Sequence, residues 1–349
     1  MKNIRIGAVN WDASLPRDTY FGFYQTNSLS PEKYRTWTPY YASIDEADSI
    51  SYKRRTPKEY EKEISYARTA GIDYFAFVWY PKEGSERHIQ TGHKDCSHKV
   101  HELNYARELY EKCTDKYGVN MCAILSAHPF TDADLEELVE AFRSPWYEKI
   151  GTRPLLYIYL GYREEIIKKI HELCKKRNVP KPYTVIMEFD PKDNKYPLGD
   201  ALSAYAICES GITTHRELIE CAKDHNRKRL TAGLPLIPTF TVGWNPRPRI
   251  ERPTPWTSTP DWVSLYADED YAPKASCEEL YLGAESFCDF LLKEGKEAFI
   301  GHVLTFAWNE FEEGGYICPT YTENGETDIT RVEIFKKISD TMRRRLGEI

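Results

Sequence analysis

Eight stretches of the chain are almost continuously apolar, and each has the length of a β-strand. They cover residues 4–11, 72–80, 119–127, 153–160, 183–190, 202–209, 234–244 and 299–308. An apolar run without alternation is typical of a parallel strand that is covered on both faces. The pattern therefore predicts eight buried parallel strands.

Helical patterns separate nearly all of these strands. The clearest begins at Thr56, followed by Pro57 in the first turn, and ends before Gly71, a residue type that often follows a helix. Further helices are predicted over residues 100–117, 131–142, 164–177, 214–228, 276–294 and 328–346. This alternation predicts an α/β protein, and eight repeats favour a (β/α)8 TIM barrel with long βα loops over an open sheet. We expect one domain over residues 1–349.

Two segments do not fit the alternation. Residues 13–57 have little periodicity but many aromatics, and a loop of this length is either functional or contains a missed element. Its aromatic residues would form either a cleft wall or a hydrophobic anchor: Tyr20, Tyr24, Trp37, Tyr40 and Tyr41. Residues 246–273 are rich in proline and are predicted to have no regular structure.

The composition argues against some classes of partner and indicates a cellular compartment. The formal net charge is -7 and no basic stripe is present, which argues against nucleic-acid binding. The N-terminus lacks the apolar core of a signal peptide, and no apolar run is long enough to cross a membrane. Nine cysteines are scattered singly without a CxxC motif. Together these features predict a cytoplasmic protein with reduced thiols and no membrane partner. They do not predict the oligomeric state.

The most informative stretch is the last apolar run, which ends in acids and glycines. Residues 309–314 read Asn-Glu-Phe-Glu-Glu-Gly, so that Glu310, Glu312 and Glu313 follow the strand closely. Like charges at this spacing raise the pKa of at least one carboxyl, as a general acid requires. Cleavage of a glycosidic bond needs one protonated and one ionised carboxyl group. We therefore predict Glu310 and Glu313 as a catalytic pair, against the alternative of a solvated acidic loop.

Other polar and aromatic residues cluster at the predicted C-terminal ends of strands, where barrels build their active sites. A tryptophan there would stack on a sugar or pack in the core, and an acid would bind hydroxyls or form an ion pair. In the proline-rich turn we expect Asn245 and Arg247 to bind substrate more readily than Arg249, with loop bracing as the alternative. The remaining substrate-binding candidates are Trp11, Asp12, Trp79, Tyr80, His128, Tyr159, Glu188, Asp190, Glu209, Trp244, Trp308 and Asn309.

A metal site is not expected. His93, Cys96, His98 and His101 lie close together, but their spacing matches no standard zinc motif. A polar loop that leads into a helix accounts for them, and no cofactor is predicted.

Four blocks resemble the WbsX-like group of proteins, which is related to the endo-acting α-mannosidases of glycoside hydrolase family 99. They are residues 70–80, 153–159, 243–249 and 308–314, in the order that this family has them. The last block is the most specific. The family pattern is Asn-Glu-Trp-x-Glu-Gly, and this chain has Phe311 in place of Trp. The resemblance covers roughly residues 70–320, and the first 60 residues match poorly.

The resemblance implies a (β/α)8 barrel and a retaining reaction in which the 2-hydroxyl of the sugar attacks its own anomeric carbon. By motif position, Glu310 would take the proton of that hydroxyl. Glu313 would protonate the leaving group and then activate water. The substrate would be an oligosaccharide or polysaccharide. Two alternatives stay open: a glycosyltransferase of polysaccharide biosynthesis, in which Arg247 or Arg249 holds a phosphate, and a non-catalytic carbohydrate-binding barrel.

Overall fold

The computed structural model describes residues 3–46, 49–82, 97–188, 191, 196–256 and 267–348, without the side chains of residues 46, 97 and 98. Eight parallel strands within these residues form the centre of the molecule. We number them in chain order as β1 (Arg5–Asn10), β2 (Tyr74–Trp79), β3 (Asn120–Leu125), β4 (Arg153–Ile158), β5 (Tyr183–Met187), β6 (Ala201–Ser203), β7 (Thr239–Thr241) and β8 (His302–Phe306).

Each strand pairs with its neighbours in the chain, and β8 pairs with β1, with His302 opposite Arg5. The contact between β6 and β7 runs through the segment that precedes β7. The Leu202 N–H donates to the Pro235 carbonyl at 2.9 Å, and the Ile237 N–H donates to the Leu202 carbonyl at 3.0 Å. The sheet is thereby joined into a ring, and the predicted (β/α)8 barrel is confirmed.

Helices cover the outside of the ring. Where Thr56 begins a helix, its side chain accepts from the Glu59 N–H and the Glu59 carboxylate accepts from the Thr56 N–H. This helix ends at Gly71, whose φ of 84° is left-handed. The helices are α1 (Tyr20–Leu29), α2 (Pro57–Ala70), α3 (Tyr105–Lys112), α4 (Asp132–Ala141), α5 (Glu164–Arg177), α6 (His215–Leu230), α7 (Arg247–Glu251), α8 (Cys277–Phe290) and α9 (Thr330–Leu346). None of the described helices is long and apolar enough to cross a membrane.

The two irregular segments contain regular structure. Within residues 13–57 lie α1, a 3-10 helix at Glu32–Trp37 and an antiparallel hairpin of Ala42–Glu46 with Ser49–Tyr52. The prediction that residues 246–273 have no regular structure is wrong, because α7 lies inside them. Its Pro248 falls in the first helical turn, where the backbone N–H has no helical partner to lose.

One predicted helix also has the wrong length. Residues 100–117 were expected to form a single helix, but Ser97–Asn104 is a 3-10 helix and α3 ends at Lys112. Asp115 accepts the Tyr117 N–H in a local turn, and Tyr117 itself has a positive φ. A β-carbon makes that conformation unfavourable inside a helix, so the chain leaves the helix before this point.

Candidate active site

The predicted acids lie on a tight turn at the C-terminal end of β8. Asn309–Glu310 pairs antiparallel with Gly315–Tyr316, and Phe311–Glu313 forms a 3-10 turn between them. Gly314 closes the turn with a φ of 71°. The turn therefore holds three carboxyl groups at the end of the barrel where active sites of this fold form.

A single guanidinium contacts all three carboxyl groups. Arg249 of α7 donates from Nε to Glu312 Oε1 at 2.7 Å and from a terminal nitrogen to Glu313 Oε1. Its other terminal nitrogen lies 3.6 Å from Glu310 Oε2. The Arg249 side chain is 6% exposed. Because one positive charge faces three acids in a buried place, the cluster favours the uptake of a proton.

The pKa values follow from this imbalance. Burial raises the pKa of Glu310 well above its ordinary value, and the charge of Glu313 raises it further, while Arg249 opposes both effects. Burial also raises the pKa of Glu312 and of Glu313, again against Arg249. Arg249 stays charged, because the surrounding acids outweigh its burial and raise its pKa. Burial therefore favours the protonated form of all three acids, while Arg249 partly offsets this effect.

Tyr205 adds a hydrogen bond that the sequence did not reveal. Its hydroxyl donates to Glu310 Oε1 at 2.5 Å. Burial and the charge of Glu310 raise the pKa of Tyr205 well above its ordinary value, so the phenol remains a neutral donor. Among the described residues no group donates a hydrogen bond to the other oxygen, the buried Glu310 Oε2. The described residues therefore leave the hydrogen-bonding capacity of this oxygen unused, although the Arg249 charge lies 3.6 Å from it.

Aromatic rings continue from Tyr205 along the barrel end. The ring of Tyr159 is centred 4.9 Å from that of Tyr205, and the ring of Phe306 is 5.8 Å from it. Trp244 follows, 6.0 Å from Phe306. Two predicted sugar-binding residues, Tyr159 and Trp244, therefore belong to the wall beside Glu310.

The acidic turn is held against the end of β7 by a close backbone approach. The Asn245 N–H donates to the Glu313 carbonyl at 2.7 Å. A β-carbon on Gly243 would lie 2.3 Å from the Gly314 carbonyl oxygen, and one on Gly315 would lie 2.3 Å from the Phe306 ring. Glycine is needed at both positions because no side chain fits between the two segments. Asn245 acts here through its backbone, and its side-chain amide donates to the Ala272 carbonyl at 3.0 Å.

Two predicted sugar-binding residues instead belong to a buried polar network below the site. The Trp308 indole N–H donates to Glu63 Oε1 at 2.8 Å. Arg55 bridges Glu63 at 2.6 Å and Asp12 at 2.8 Å. Trp308 is 0% exposed and Asp12 2%. These side chains fix the segment that carries Glu310 rather than face the cleft.

On the other side of the site, Trp11, Tyr80 and His128 lie next to one another. The Trp11 indole N–H donates to the Tyr80 hydroxyl at 2.8 Å, and the Tyr80 ring is 5.3 Å from the His128 ring. The Arg249 guanidinium lies over the Trp11 ring at 5.3 Å. Asn309 connects this group to the acidic turn, because its side-chain oxygen accepts a hydrogen bond from the backbone N–H of Trp11 at 2.9 Å.

Trp79 and Arg247 make contacts away from the acidic turn. The Trp79 ring packs under Arg107 of α3 at 3.8 Å, in the helical layer outside the barrel. Arg247 donates to the carbonyls of Ala267 at 2.8 Å and Glu269 at 2.5 Å, so it braces a loop. We expected Arg247 to bind substrate more readily than Arg249. The contacts show the reverse arrangement: Arg247 braces a loop, and Arg249 lies against the acidic turn.

The two other predicted acids lie at the rim. Glu209 contacts His225 of α6 at 2.5 Å. Glu188 accepts the Tyr162 N–H at 3.2 Å and lines a small cavity with Tyr159 and Tyr205. Glu188 is therefore closer to the candidate pair than Glu209, which is directed toward the helical layer.

The histidine and cysteine group is mostly outside the described residues. The structure does not describe His93, Cys96 or the side chain of His98, and it shows His101 exposed. The predicted substrate-binding residue Asp190 also lies outside the described residues. In the described part of the chain, no group of three or more His, Cys, Asp or Glu side chains could hold a metal ion.

The fold is similar to that of solved glycoside hydrolases. Two structures of the GH99 endo-alpha-mannosidase from Bacteroides thetaiotaomicron superpose with TM-scores of 0.57 and 0.56 at 12% identity, over 100% and 99% of both chains. A glycoside hydrolase-like protein superposes with a TM-score of 0.58 at 14% identity, over 97% of this chain and 94% of its own.

The similarity is confined to structure. No protein-family model matches the sequence, and no curated protein sequence matches it either. At these identities the superpositions establish the fold. The resemblance to the WbsX-like group stays a prediction.

Proposed function

We propose that this protein is a glycoside hydrolase that cleaves a glycosidic bond in an oligosaccharide or polysaccharide, with Glu310 and Glu313 as its acid–base pair. The observation that carries the proposal is the cluster of buried carboxyls around Arg249 at the C-terminal end of the barrel. Hydrolysis of an acetal requires a proton for the leaving oxygen and an anion that activates an oxygen nucleophile. A cluster in which burial favours protonation of a carboxyl while Arg249 favours its ionisation suits both needs.

Glu312 is the acid that we leave out of the pair. It is fully buried, and its carboxylate contacts Arg249 at 2.7 Å and Ser28 of α1 at 3.4 Å. Its side chain is 0% exposed, against 4% for Glu310 and 12% for Glu313, so it is the least accessible of the three acids. Its role is to orient the guanidinium, whose terminal nitrogens then point toward Glu310 and Glu313.

Two arguments assign the roles within the pair differently. The resemblance implies that Glu310 is the base for the 2-hydroxyl and Glu313 the acid, and Glu310 Oε2, which accepts no hydrogen bond from the described residues, suits a hydroxyl donor. Before substrate binds, however, burial raises the pKa of Glu310 well above its ordinary value and the charge of Glu313 raises it further, so Glu310 favours the protonated form. We propose the order implied by the resemblance. It requires that the proton move to Glu313 when substrate binds.

Substrates with different leaving groups can distinguish these two assignments. A variant without its general acid retains activity on substrates whose leaving group needs no proton, such as dinitrophenyl glycosides. We expect Glu313→Gln to keep the first step on such a glycoside, measured as dinitrophenolate released in the first turnover, while it loses activity on the natural linkage. Glu310→Gln should lose activity on both. The opposite pattern would exchange the two roles.

The substrate is proposed from the fold neighbours, among which an endo-alpha-mannosidase covers the whole chain. An internal α-mannoside-like linkage, cleaved with retention, is the corresponding hypothesis. The glycosyltransferase alternative needs a free cation for a donor phosphate. Arg247 is engaged by two loop carbonyls and Arg249 by three carboxyls, so neither is well placed for that purpose.

A glycan panel tests the proposal. The protein is incubated with α- and β-linked oligosaccharides and polysaccharides, and new reducing ends are measured with and without nucleotide-sugars. Hydrolysis of at least one glycan without a nucleotide-sugar is expected. Sugar transfer that depends on a nucleotide-sugar, without release of reducing ends, would overturn the proposal in favour of a transferase.

A further inference from the structure

Helix α1 is unusual for a helix that lies partly at the surface. Its ten residues, Tyr20–Leu29, include no charged side chain. A surface helix normally carries charged residues on its outer face, and an exposed apolar patch usually marks a binding site. The four blocks that resemble the WbsX-like group do not include α1, so its role must come from its contacts.

The packing of Gly22 fixes which side of α1 faces outward. A β-carbon at Gly22 would lie 2.2 Å from the carbonyl oxygens of Leu15 and Pro16, so the chain that leads into the helix presses directly on its backbone. The buried positions are Phe21, Gly22, Gln25, Thr26, Ser28 and Leu29. The opposite stripe carries Tyr20, Phe23 and Tyr24, which are three and four positions apart and share one helical face.

This aromatic stripe is accessible to solvent. Phe23 is 45% exposed, while Tyr20 and Tyr24 are half-buried. The Tyr24 ring lies 5.2 Å from that of Tyr20 and 5.1 Å from that of Phe23. The ring of Trp256, on the chain beyond α7, extends the stripe at 6.1 Å from Tyr24. We call these four rings the α1 platform.

The α1 platform is continuous with the candidate active site. The Trp256 ring is centred 5.8 Å from a Trp11 ring, and the Arg249 guanidinium lies over the Trp11 ring at 5.3 Å. From its buried face, α1 also contacts the acidic turn through Ser28 and Glu312. A row of rings therefore runs from the acid cluster to the protein surface.

We infer that the α1 platform binds the sugar units that flank the cleaved linkage, so that the protein acts on glycan chains longer than a disaccharide. This inference rests on the proposed function. The exposed Phe23 ring and the half-buried Tyr24 and Trp256 rings offer apolar area to the C–H faces of pyranose units, and the Tyr24 hydroxyl offers a hydrogen bond to their hydroxyl groups, while Lys99 lies over the Tyr20 ring at 5.5 Å. The other aromatics of the same segment serve as anchors: Trp37 is 9% exposed, and the Tyr41 ring packs against the buried Arg55.

The test compares substrates of increasing length. Series of α-linked gluco- and manno-oligosaccharides, from disaccharide to hexasaccharide, are assayed with wild-type protein and with Phe23→Ala, Tyr24→Ala and the double variant. Trp146→Ala is the matched control, since Trp146 is 38% exposed but precedes β4 at the opposite end of the barrel. We expect the ratio of kcat/KM between the longest and shortest cleaved substrates to fall about tenfold in the double variant, as for the loss of one buried aromatic face. The control should keep the wild-type ratio.

Calorimetric binding of the same oligosaccharides separates this inference from the proposed function. If neither these series nor the glycan panel is hydrolysed, but the platform variants weaken binding of the long oligosaccharides, the platform stands and the proposed function fails. If hydrolysis occurs and the ratio stays at its wild-type value in every variant, the platform inference is overturned and the function stands. An absence of binding to these series together with an absence of hydrolysis across the glycan panel overturns both.

Discussion

Replacement of Arg249 by Met tests the electrostatic balance of the site most sharply. In the described part of the chain, Arg249 is the one cation that contacts Glu310, Glu312 and Glu313. Methionine has a similar length and no charge, so the change removes the charge while it keeps most of the volume. Three buried carboxyl groups would then repel one another without compensation.

The expected cost is large and depends on pH. Removing one partner from a buried ion pair costs about 3–5 kcal/mol of unfolding free energy. Burial already holds the folded-state pKa values of these acids above their unfolded values. Stability linked to such groups is present below the unfolded pKa and is lost as the pH rises through the folded pKa. The variant raises the folded pKa further, so its deficit should be greatest near pH 7.5 and at least halved near pH 5.

Urea denaturation of both proteins at the two pH values measures this deficit. Arg247→Met is the matched control, because Arg247 lies on the same short helix and donates only to backbone carbonyls in its described contacts. The control should lose about 1–3 kcal/mol from unpaired carbonyls, with no pH dependence. If Arg249→Met loses the same free energy at both pH values, the reasoning about charge is refuted.

Two further changes probe the geometry around the pair. Tyr205→Phe removes the hydrogen bond that stabilises the ionised form of Glu310, so we expect the pKa of Glu310 to rise further. The limb of the kcat/KM pH profile that reports Glu310 should move to higher pH, with about a 10-fold loss of kcat/KM, and an unmoved limb would contradict this role. Gly243→Ala places a β-carbon 2.3 Å from the Gly314 carbonyl oxygen and should displace the acidic turn. Steady-state kinetics should show a loss of kcat of about 100-fold, and wild-type kcat would show that the turn tolerates the change.

Most of the fold could be predicted because its signals are local. Each apolar run indicates a buried strand whatever its position in the barrel. The capping box of Thr56 and Glu59 lies within four residues, so it can be recognised in the sequence. The helix α1 was missed because it has no charged face and therefore no periodic pattern. The end of β6 at Ser203, rather than at residue 209, was missed as well. That error concealed Tyr205, which follows the strand end and would otherwise have been a candidate.

The site was predicted less completely because its residues act through contacts distant in sequence. Trp79 and Tyr80 are adjacent in the chain, but side chains along a strand alternate, so Trp79 faces α3 while Tyr80 reaches Trp11. Arg247 and Arg249 are two positions apart, which places them on opposite sides of a helix. The sequence could have distinguished Arg247, which braces a loop, from Arg249, which contacts the acids, only if α7 had been recognised as a helix.

The claim that Glu310 and Glu313, and not Glu312, form the acid–base pair is tested most directly by three parallel variants. Glu310→Gln, Glu312→Gln and Glu313→Gln are compared with the wild type for release of reducing ends from the cleaved glycan, with circular dichroism as the check on folding. We predict losses of at least about 1000-fold for Glu310→Gln and Glu313→Gln, as for removal of a residue essential to proton transfer. Glu312→Gln should lose less than about tenfold, because a glutamine oxygen still accepts from Arg249. Wild-type rates in the first two variants, or an equal loss in all three, would contradict the assignment.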